Sequence, residues 1–137
     1  MDRKYIIEGG NFSEAGFASS DVKKLLKKLG LPTNIIKKVA IAMYEAEINV
    51  VAHAYRGEME FKIVPGQIRV TVQDEGPGIP DVELAFTEGF STASSKVREM
   101  GFGAGMGLPN IKRNTDEISL HTEVEKGTKL SFIINFT

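Results

Sequence analysis

Apolar and polar residues alternate in four separate stretches of the chain, and this period of two is typical of strands with one buried and one solvated face. The apolar positions are Met59, Phe61 and Ile63; Ile68, Val70 and Val72; Ile118, Leu120 and Val124; and Leu130, Phe132, Ile134 and Phe136. Residues 3 to 8, RKYIIE, predict one more strand before a Gly-Gly break. Pro65-Gly66 and Lys126-Gly127 are typical of tight turns between antiparallel neighbours.

Helical periodicity separates the first strand from the others. The stretch SEAGFASSDVKKLLKKL predicts a helix that Ser13 caps and that ends at Gly30 and Pro32. A long helix is predicted from Pro32 or Thr33, over PTNIIKKVAIAMYEAEINVVAHA, where apolar residues are too frequent for a surface helix. A third helix is predicted from Leu108 to Asp116. Strands that are apolar on one face, together with these helices, predict an α/β two-layer sandwich, with a mixed, mostly antiparallel sheet and helices on one face.

Length and composition narrow the class of protein. A chain of 137 residues fits a single domain, which we place at residues 1–137. Its 42% hydrophobic and 26% charged residues argue against disorder, and a net charge of −1 implies no bulk attraction to nucleic acid or membrane. The chain has no cysteine, which excludes disulfides and thiol catalysis. Since it also shows no signal peptide and no apolar run of membrane-spanning length, we expect a cytoplasmic protein.

Three polar residues lie four apart on the long helix and therefore share one stripe: Glu45, Asn49 and His53. One interpretation is a hydrogen-bonded pair inside the core or a wetter helix face. The other places the stripe on a cavity, where Asn49 offers oxygen to Mg²⁺ and Glu45 deprotonates a hydroxyl or water. His53 either contacts phosphate or packs as an ordinary histidine. Glu47 points about 160° away around the helix and does not share the task.

Two glycine-rich stretches follow. Asp74 ends a strand in the turn DEGPGIP, where a carboxylate can accept a hydrogen bond from an exocyclic amine and Gly78 permits close approach of a flat ring. The cluster Gly103-Ala104-Gly105-Met106-Gly107 stands directly before the third predicted helix, so that free backbone N–H groups suit an anion. Each stretch alone is also common in ordinary turns. The irregular segment between Ile79 and Leu108 predicts a functional lid.

Taken in order, these motifs resemble the GHKL ATP-binding superfamily. Glu45-x-x-x-Asn49 resembles its N box, Asp74 to Gly78 its first glycine box, Gly103 to Gly107 its second, and Gly127-Thr128 its late Gly-Thr pair. The resemblance implies a Bergerat-type fold with ATP and Mg²⁺ as cofactors. It implies Glu45 as the general base and Asn49 as the magnesium ligand. The residues that it implies for nucleotide binding are Asn49, Asp74, Gly76, Gly78, Gly103, Gly105, Met106, Gly107, Leu108 and Thr128.

Within that superfamily the short chain and the segment around the second glycine box look most like bacterial anti-sigma serine/threonine kinases. That similarity implies transfer of the γ-phosphoryl group of ATP to a STAS-domain anti-sigma antagonist, and for some members sequestration of a sigma factor. The alternative is a nucleotide-dependent binding module with little catalysis. A detached catalytic domain of a histidine kinase is less favoured, because no helical pair with a phospho-acceptor histidine precedes the domain. A homodimer would cover an exposed sheet face or the first strand.

Overall fold

Five strands and three α-helices make up the described part of the chain in the computed structural model, which covers residues 1–78, 86 and 107–136. In chain order the elements are β1 (Asp2–Glu8), α1 (Phe17–Lys28), α2 (Thr33–His53), β2 (Arg56–Val64), β3 (Gln67–Glu75), α3 (Gly107–Arg113), β4 (Glu117–Glu123) and β5 (Gly127–Asn135). A 3-10 helix, Phe12–Glu14, precedes α1. The predicted strands and helices are therefore all present.

The five strands form one sheet in the order β1-β2-β3-β5-β4. Every neighbouring pair is antiparallel. The register places Phe61 opposite Val70, and Val70 opposite Phe132, so that apolar side chains of three strands form a continuous row. All three are at most 1% exposed. The alternation in the sequence thus fixes one buried sheet face, because a shift of one residue would turn every apolar side chain to solvent.

The long helix α2 packs on that buried face and against α1. Its core side chains include Val39 and Met43 at 0% exposure and Val50 at 1%. On α1, Val22 and Leu26 are also fully buried, while the lysines occupy the exposed side. The α/β two-layer architecture predicted from the sequence is confirmed.

The start of α1 is capped from another helix. Gly16 precedes α1, and the predicted cap, Ser13, instead donates its hydroxyl to the Asn11 side chain at 2.9 Å. The N–H groups of Gly16, Ala18 and Ser19 donate to the Glu47 carboxylate at 3.0, 3.2 and 3.2 Å. The prediction for Ser13 is therefore wrong, because Glu47 of α2 supplies the oxygens that a capping side chain normally provides.

The first strand is fastened to α1 by a polar cluster. Arg3 and Tyr5 both donate to Oδ2 of Asp21, at 2.7 and 2.6 Å. Burial and the hydrogen bond to Asp21 raise the pKa of Tyr5 to about 12, so this hydroxyl remains a donor at neutral pH. The ring of Tyr5 also meets that of Phe17 edge-on, with centroids 6.3 Å apart. These contacts join the edge strand to the helical layer.

Two further boundaries differ from the sequence prediction. The third helix covers Gly107–Arg113 and stops before Asp116, because Asp116 already donates its N–H to Ile133 of the sheet. Val124 lies in the turn after β4 and is 56% exposed, so it does not continue the apolar face of that strand. Over the ranges that the structure describes, no helix is both long and apolar enough to cross a membrane.

Candidate functional site

The polar stripe predicted on α2 faces the short helix α3. Glu45 and Asn49 are both partly exposed, in contrast to the fully buried apolar side chains around them. Asn49 lies beneath the first residue of α3, because a Cβ on Gly107 would be only 3.0 Å from its Oδ1. Partial exposure argues against a hydrogen-bonded pair inside the core for these two residues, and it fits either a wetter helix face or the wall of a cavity. This position also brings the amide oxygen of Asn49 next to the end of the second glycine box.

Glu45, one helical turn before Asn49, also contacts α3. Nδ2 of Asn110 donates to Oε1 of Glu45 at 3.4 Å, and Arg113 donates to Oδ1 of Asn110 at 3.4 Å. The carboxylate thus has an amide partner on the neighbouring helix. Sequence reasoning did not find Asn110, since nothing in the motif spacing places this residue opposite Glu45.

Asp74 lies next to the last residue of β3 and is tied to β5. Its Oδ1 accepts the backbone N–H of Thr128 at 3.0 Å, which brings the first glycine box and the late Gly-Thr pair together. The Thr128 hydroxyl in turn pairs with that of Thr122 at 2.9 Å. Burial raises the pKa of Asp74, and the Thr128 hydrogen bond acts in the opposite direction. This acid is therefore fixed in place but has a second oxygen with which to accept another hydrogen bond.

Gly57 of β2 lies between the end of β3 and α2. A Cβ at Gly57 would stand 2.9 Å from Val50, the residue after Asn49, and 3.4 Å from the Cβ of Asp74. Asp74 is also the register partner of Gly57 in the sheet. Asp74 and the core face of α2 at Val50 therefore both lie close to Gly57, which has no side chain to separate them.

The turn after Asp74 runs close to two other segments. A Cβ at Gly76 would be 3.0 Å from Cα of Ala54, beyond the end of α2. Gly78 has φ +76°, and a Cβ there would be 2.5 Å from the carbonyl oxygen of Glu123. Glycine is required at Gly78 on both counts, since a left-handed backbone and a close approach each disfavour a side chain. These contacts give the two glycines a structural task beside any role in binding.

His53, the third member of the stripe, is the last residue of α2. Burial lowers its pKa, which favours the neutral imidazole. This environment suits the packing interpretation of His53 better than contact with phosphate, because a phosphate contact would favour the charged ring. His121 is exposed on β4.

Three residues that the resemblance assigns to the nucleotide, Gly103, Gly105 and Met106, lie outside the described residues, as does the predicted lid except for Phe86 and Gly107. Leu108 of the same set is 7% exposed and belongs to the core, where it anchors α3. In the part of the chain described, no three His, Asp or Glu side chains converge on a point that could hold a metal ion. A site in which Asn49 is a single protein ligand would depend on phosphate and water for the rest of a magnesium shell.

Sequence reasoning set Glu47 aside, and the structure places it in the core at 2% exposure. Burial raises the pKa of Glu47, while hydrogen bonds from Ala18, Ser19 and Gly16 act to lower it. Its position between Ala46 and Ile48 in a buried helix was a signal for such a role, because a carboxylate in that setting needs donors.

The five-stranded antiparallel sheet, with helices packed on one face, defines an α/β domain of the GHKL ATPase type. The chain belongs to the family described as the histidine kinase-like ATPase domain, whose model matches residues 15–134. Membership in this family implies the use of ATP.

Two relatives are named as a protein kinase and as an anti-sigma factor. The chain is 30% identical over 115 residues to the serine/threonine-protein kinase RsbT of Bacillus subtilis, a match that covers 81% of this chain and 80% of that protein. It is 30% identical over 118 residues to the anti-sigma F factor of Geobacillus stearothermophilus, covering 82% of this chain and 77% of that one. Both similarities include most of either protein.

A solved structure shares the fold. The RsbU and RsbW domains of Rv1364c from Mycobacterium tuberculosis match 97% of this chain with a TM-score of 0.64 and 15% sequence identity. This chain spans 32% of that longer one, so the match concerns one part of it. At this level of identity the comparison supports the fold alone.

Proposed function

We propose that this protein is an ATP-dependent serine/threonine protein kinase of the anti-sigma regulatory type, with a STAS-domain anti-sigma antagonist as its substrate. The observation that carries the proposal is the placement of Glu45 and Asn49 side by side along α3, where the second glycine box ends. The relative named a serine/threonine-protein kinase supports the same activity. Glu45 is the residue that a kinase needs and a plain nucleotide binder does not.

In this proposal the nucleotide is recognised at the strand end. Asp74 accepts a hydrogen bond from the exocyclic amine of adenine, and Thr128 holds its other oxygen in place through the backbone N–H. Gly76 and Gly78 shape the turn beside it. Gly103, Gly105, Met106, Gly107 and Leu108 are assigned to the nucleotide by resemblance alone.

At the other end of the site Asn49 would ligate Mg²⁺, which neutralises phosphate charge when bound. Glu45 accepts the proton of the serine or threonine hydroxyl while that oxygen forms its bond to the γ-phosphorus. The bond between the γ-phosphorus and the bridging oxygen breaks, and this oxygen leaves with ADP. Because phosphoryl transfer depends mainly on placement and charge neutralisation, few protein groups are needed.

The test is phosphorylation of a STAS-domain protein from the same organism with γ-labelled ATP and magnesium. We expect label on serine or threonine, stable to acid, and a loss of at least about 100-fold in rate for Glu45→Gln, since a general base contributes about that much or more. Glu117→Gln, an exposed acid on β4, is the control and should keep the wild-type rate. Acid-labile label, or an active Glu45→Gln variant, would contradict the proposal.

The second candidate function is ATP-dependent sequestration of a sigma factor, which the relatives named anti-sigma F factor favour. The same experiment separates it from the kinase. Formation of a complex that requires ATP, with no labelled product and no effect of Glu45→Gln, would support the binding module.

A further inference from the structure

The helix α3 runs antiparallel to α2 along its polar stripe. Gly107 lies against Asn49, and Asn110, three residues later, lies against Glu45, four residues earlier. One turn of each helix separates the two contacts. The base and the magnesium ligand of the proposed reaction thus both border the same short helix.

The position of Asn110 is set by its neighbours. Leu108 and Ile111 are 7% and 0% exposed and anchor α3 in the core. At the end of the helix, Nδ2 of Asn114 donates to the backbone carbonyl of Asn110 at 2.8 Å. Asn110 is therefore presented to Glu45 by a helix that is fixed on both sides of it.

The amide of Asn110 can satisfy its two partners in one orientation only. A guanidinium such as that of Arg113 only donates hydrogen bonds, and an ionised carboxylate such as Glu45 only accepts them. The carbonyl oxygen of Asn110 must then face Arg113, and the NH₂ group of Asn110 must face Glu45. Both 3.4 Å contacts show this orientation. A rotated amide would place two acceptors, and two donors, against each other.

We propose that Asn110 is a positioning residue, which holds Oε1 of Glu45 so that Oε2 is presented to the substrate hydroxyl. This inference rests on the kinase function proposed above. A neutral amide suits this task, because it orients the carboxylate without cancelling the negative charge that makes it a base, as a direct cation would. Both contacts are at the long end for hydrogen bonds, and catalytic contacts commonly tighten when substrate is bound.

The test compares steady-state phosphorylation of the same STAS-domain protein by four variants. We expect Asn110→Ala to lower kcat about tenfold, with KM for ATP changed less than about twofold, because the lost hydrogen bond serves a charged catalytic group and not nucleotide binding. Thr115→Ala, which removes a hydrogen bond to the carbonyl of Lys112 at the end of α3 but leaves Asn110 and its hydrogen bonds in place, is the control for a merely structural effect. Its kcat should remain within about twofold of wild type.

A double-mutant cycle identifies the route of action. If Asn110 acts through Glu45, adding Asn110→Ala to Glu45→Gln should lower kcat no further. Independent effects that multiply, or a wild-type kcat in Asn110→Ala, would overturn this inference while leaving the kinase intact. A wild-type protein that transfers no phosphate would instead overturn the proposed function, and this inference with it.

The contact between Asn110 and Glu45 can also be tested without an activity assay. In the full-length protein, the side-chain NH₂ protons of Asn110 should shift in nuclear magnetic resonance spectra on Glu45→Ala substitution more than those of Asn34, an exposed residue at the start of α2. An unchanged Asn110 signal would overturn the proposal even if the kinetics were altered.

Discussion

At the scale of single residues, Asp74 is an acid that the neighbouring strand holds in place. One oxygen is occupied by the Thr128 N–H at 3.0 Å, and the side chain is partly buried beside Gly57. Burial raises the pKa of Asp74, so the charged form depends on the donors that it finds. A carboxylate in this position can accept from the amine of adenine, whereas guanine offers a carbonyl oxygen at the corresponding atom.

We therefore expect Asp74→Asn to reduce the preference for ATP over GTP by roughly tenfold or more, because an amide can donate as well as accept. Competition of the two nucleotides for a fluorescent ATP analogue measures this preference. The control is Asp116→Asn, since Asp116 contacts Asn135 at the opposite end of β5 from Thr128. An unchanged preference in Asp74→Asn would remove Asp74 from base recognition.

His53 predicts a specific pH dependence of stability. Burial lowers its pKa from the ordinary value of 6.5, so the unfolded chain binds this proton more tightly than the folded protein does. The contribution to stability is present above that value and is lost as the pH falls through it toward the folded-state pKa.

Between about pH 7.5 and about pH 5.5, wild type should lose more free energy of unfolding than His53→Gln does. Urea unfolding at both pH values measures the difference. His121→Gln, which replaces the exposed histidine of β4, should keep the wild-type loss. Equal losses in wild type and His53→Gln would contradict a partly buried, neutral imidazole at His53.

The sequence predicted some residues of the candidate site and missed another. Glu45, Asn49 and Asp74 stand in motifs whose spacing is set by one helix turn or one strand end, and the structure brings Asp74 and α2 to a common point at Gly57. Asn110 depends on how α3 docks, which is a matter of tertiary packing. No local pattern encodes it.

At the scale of elements, Glu47 joins α2, which carries Glu45 and Asn49, to α1. Glu47 is 2% exposed, and its carboxylate accepts hydrogen bonds from three backbone N–H groups at the start of α1. The first N–H groups of a helix have no partner within the helix, so α1 depends on α2 for its start.

Glu47→Ala should lower the free energy of unfolding by about 2 to 4 kcal/mol, because it leaves buried donors unsatisfied as well as a small cavity. Urea unfolding measures this value, and amide hydrogen exchange should show the largest loss of protection in the first turn of α1. Glu14→Ala, an exposed acid just before that turn, is the control. A loss below about 0.5 kcal/mol would contradict the capping role.

The element boundaries that sequence reasoning missed have the same cause. Ser13 was a reasonable cap by residue type, but a carboxylate distant in sequence occupies that role. The end of α3 was placed too late because Asp116 already pairs with the sheet. Both errors arise from contacts between elements, which periodicity along the chain does not contain.

At the scale of the whole molecule, the alternating strands and the apolar long helix were enough to predict a two-layer α/β domain. Three neighbouring strands bury their apolar positions on one face, and a shift by one residue would turn these positions to solvent. The order of strands in the sheet, with β5 between β3 and β4, was not predicted. That order brings Thr128 to Asp74 and so completes the strand end of the candidate site.

The central proposal is that one site, bordered by α2, the end of β3 and the start of α3, binds an adenine nucleotide with magnesium. Isothermal titration calorimetry of the wild-type protein with ATP tests it most directly, with magnesium present and then removed by a chelator. We predict one ATP per chain in magnesium buffer and affinity at least about tenfold weaker without the metal or in Asp74→Ala. No heat of binding in magnesium buffer, or equal affinity in Asp74→Ala, would contradict the account.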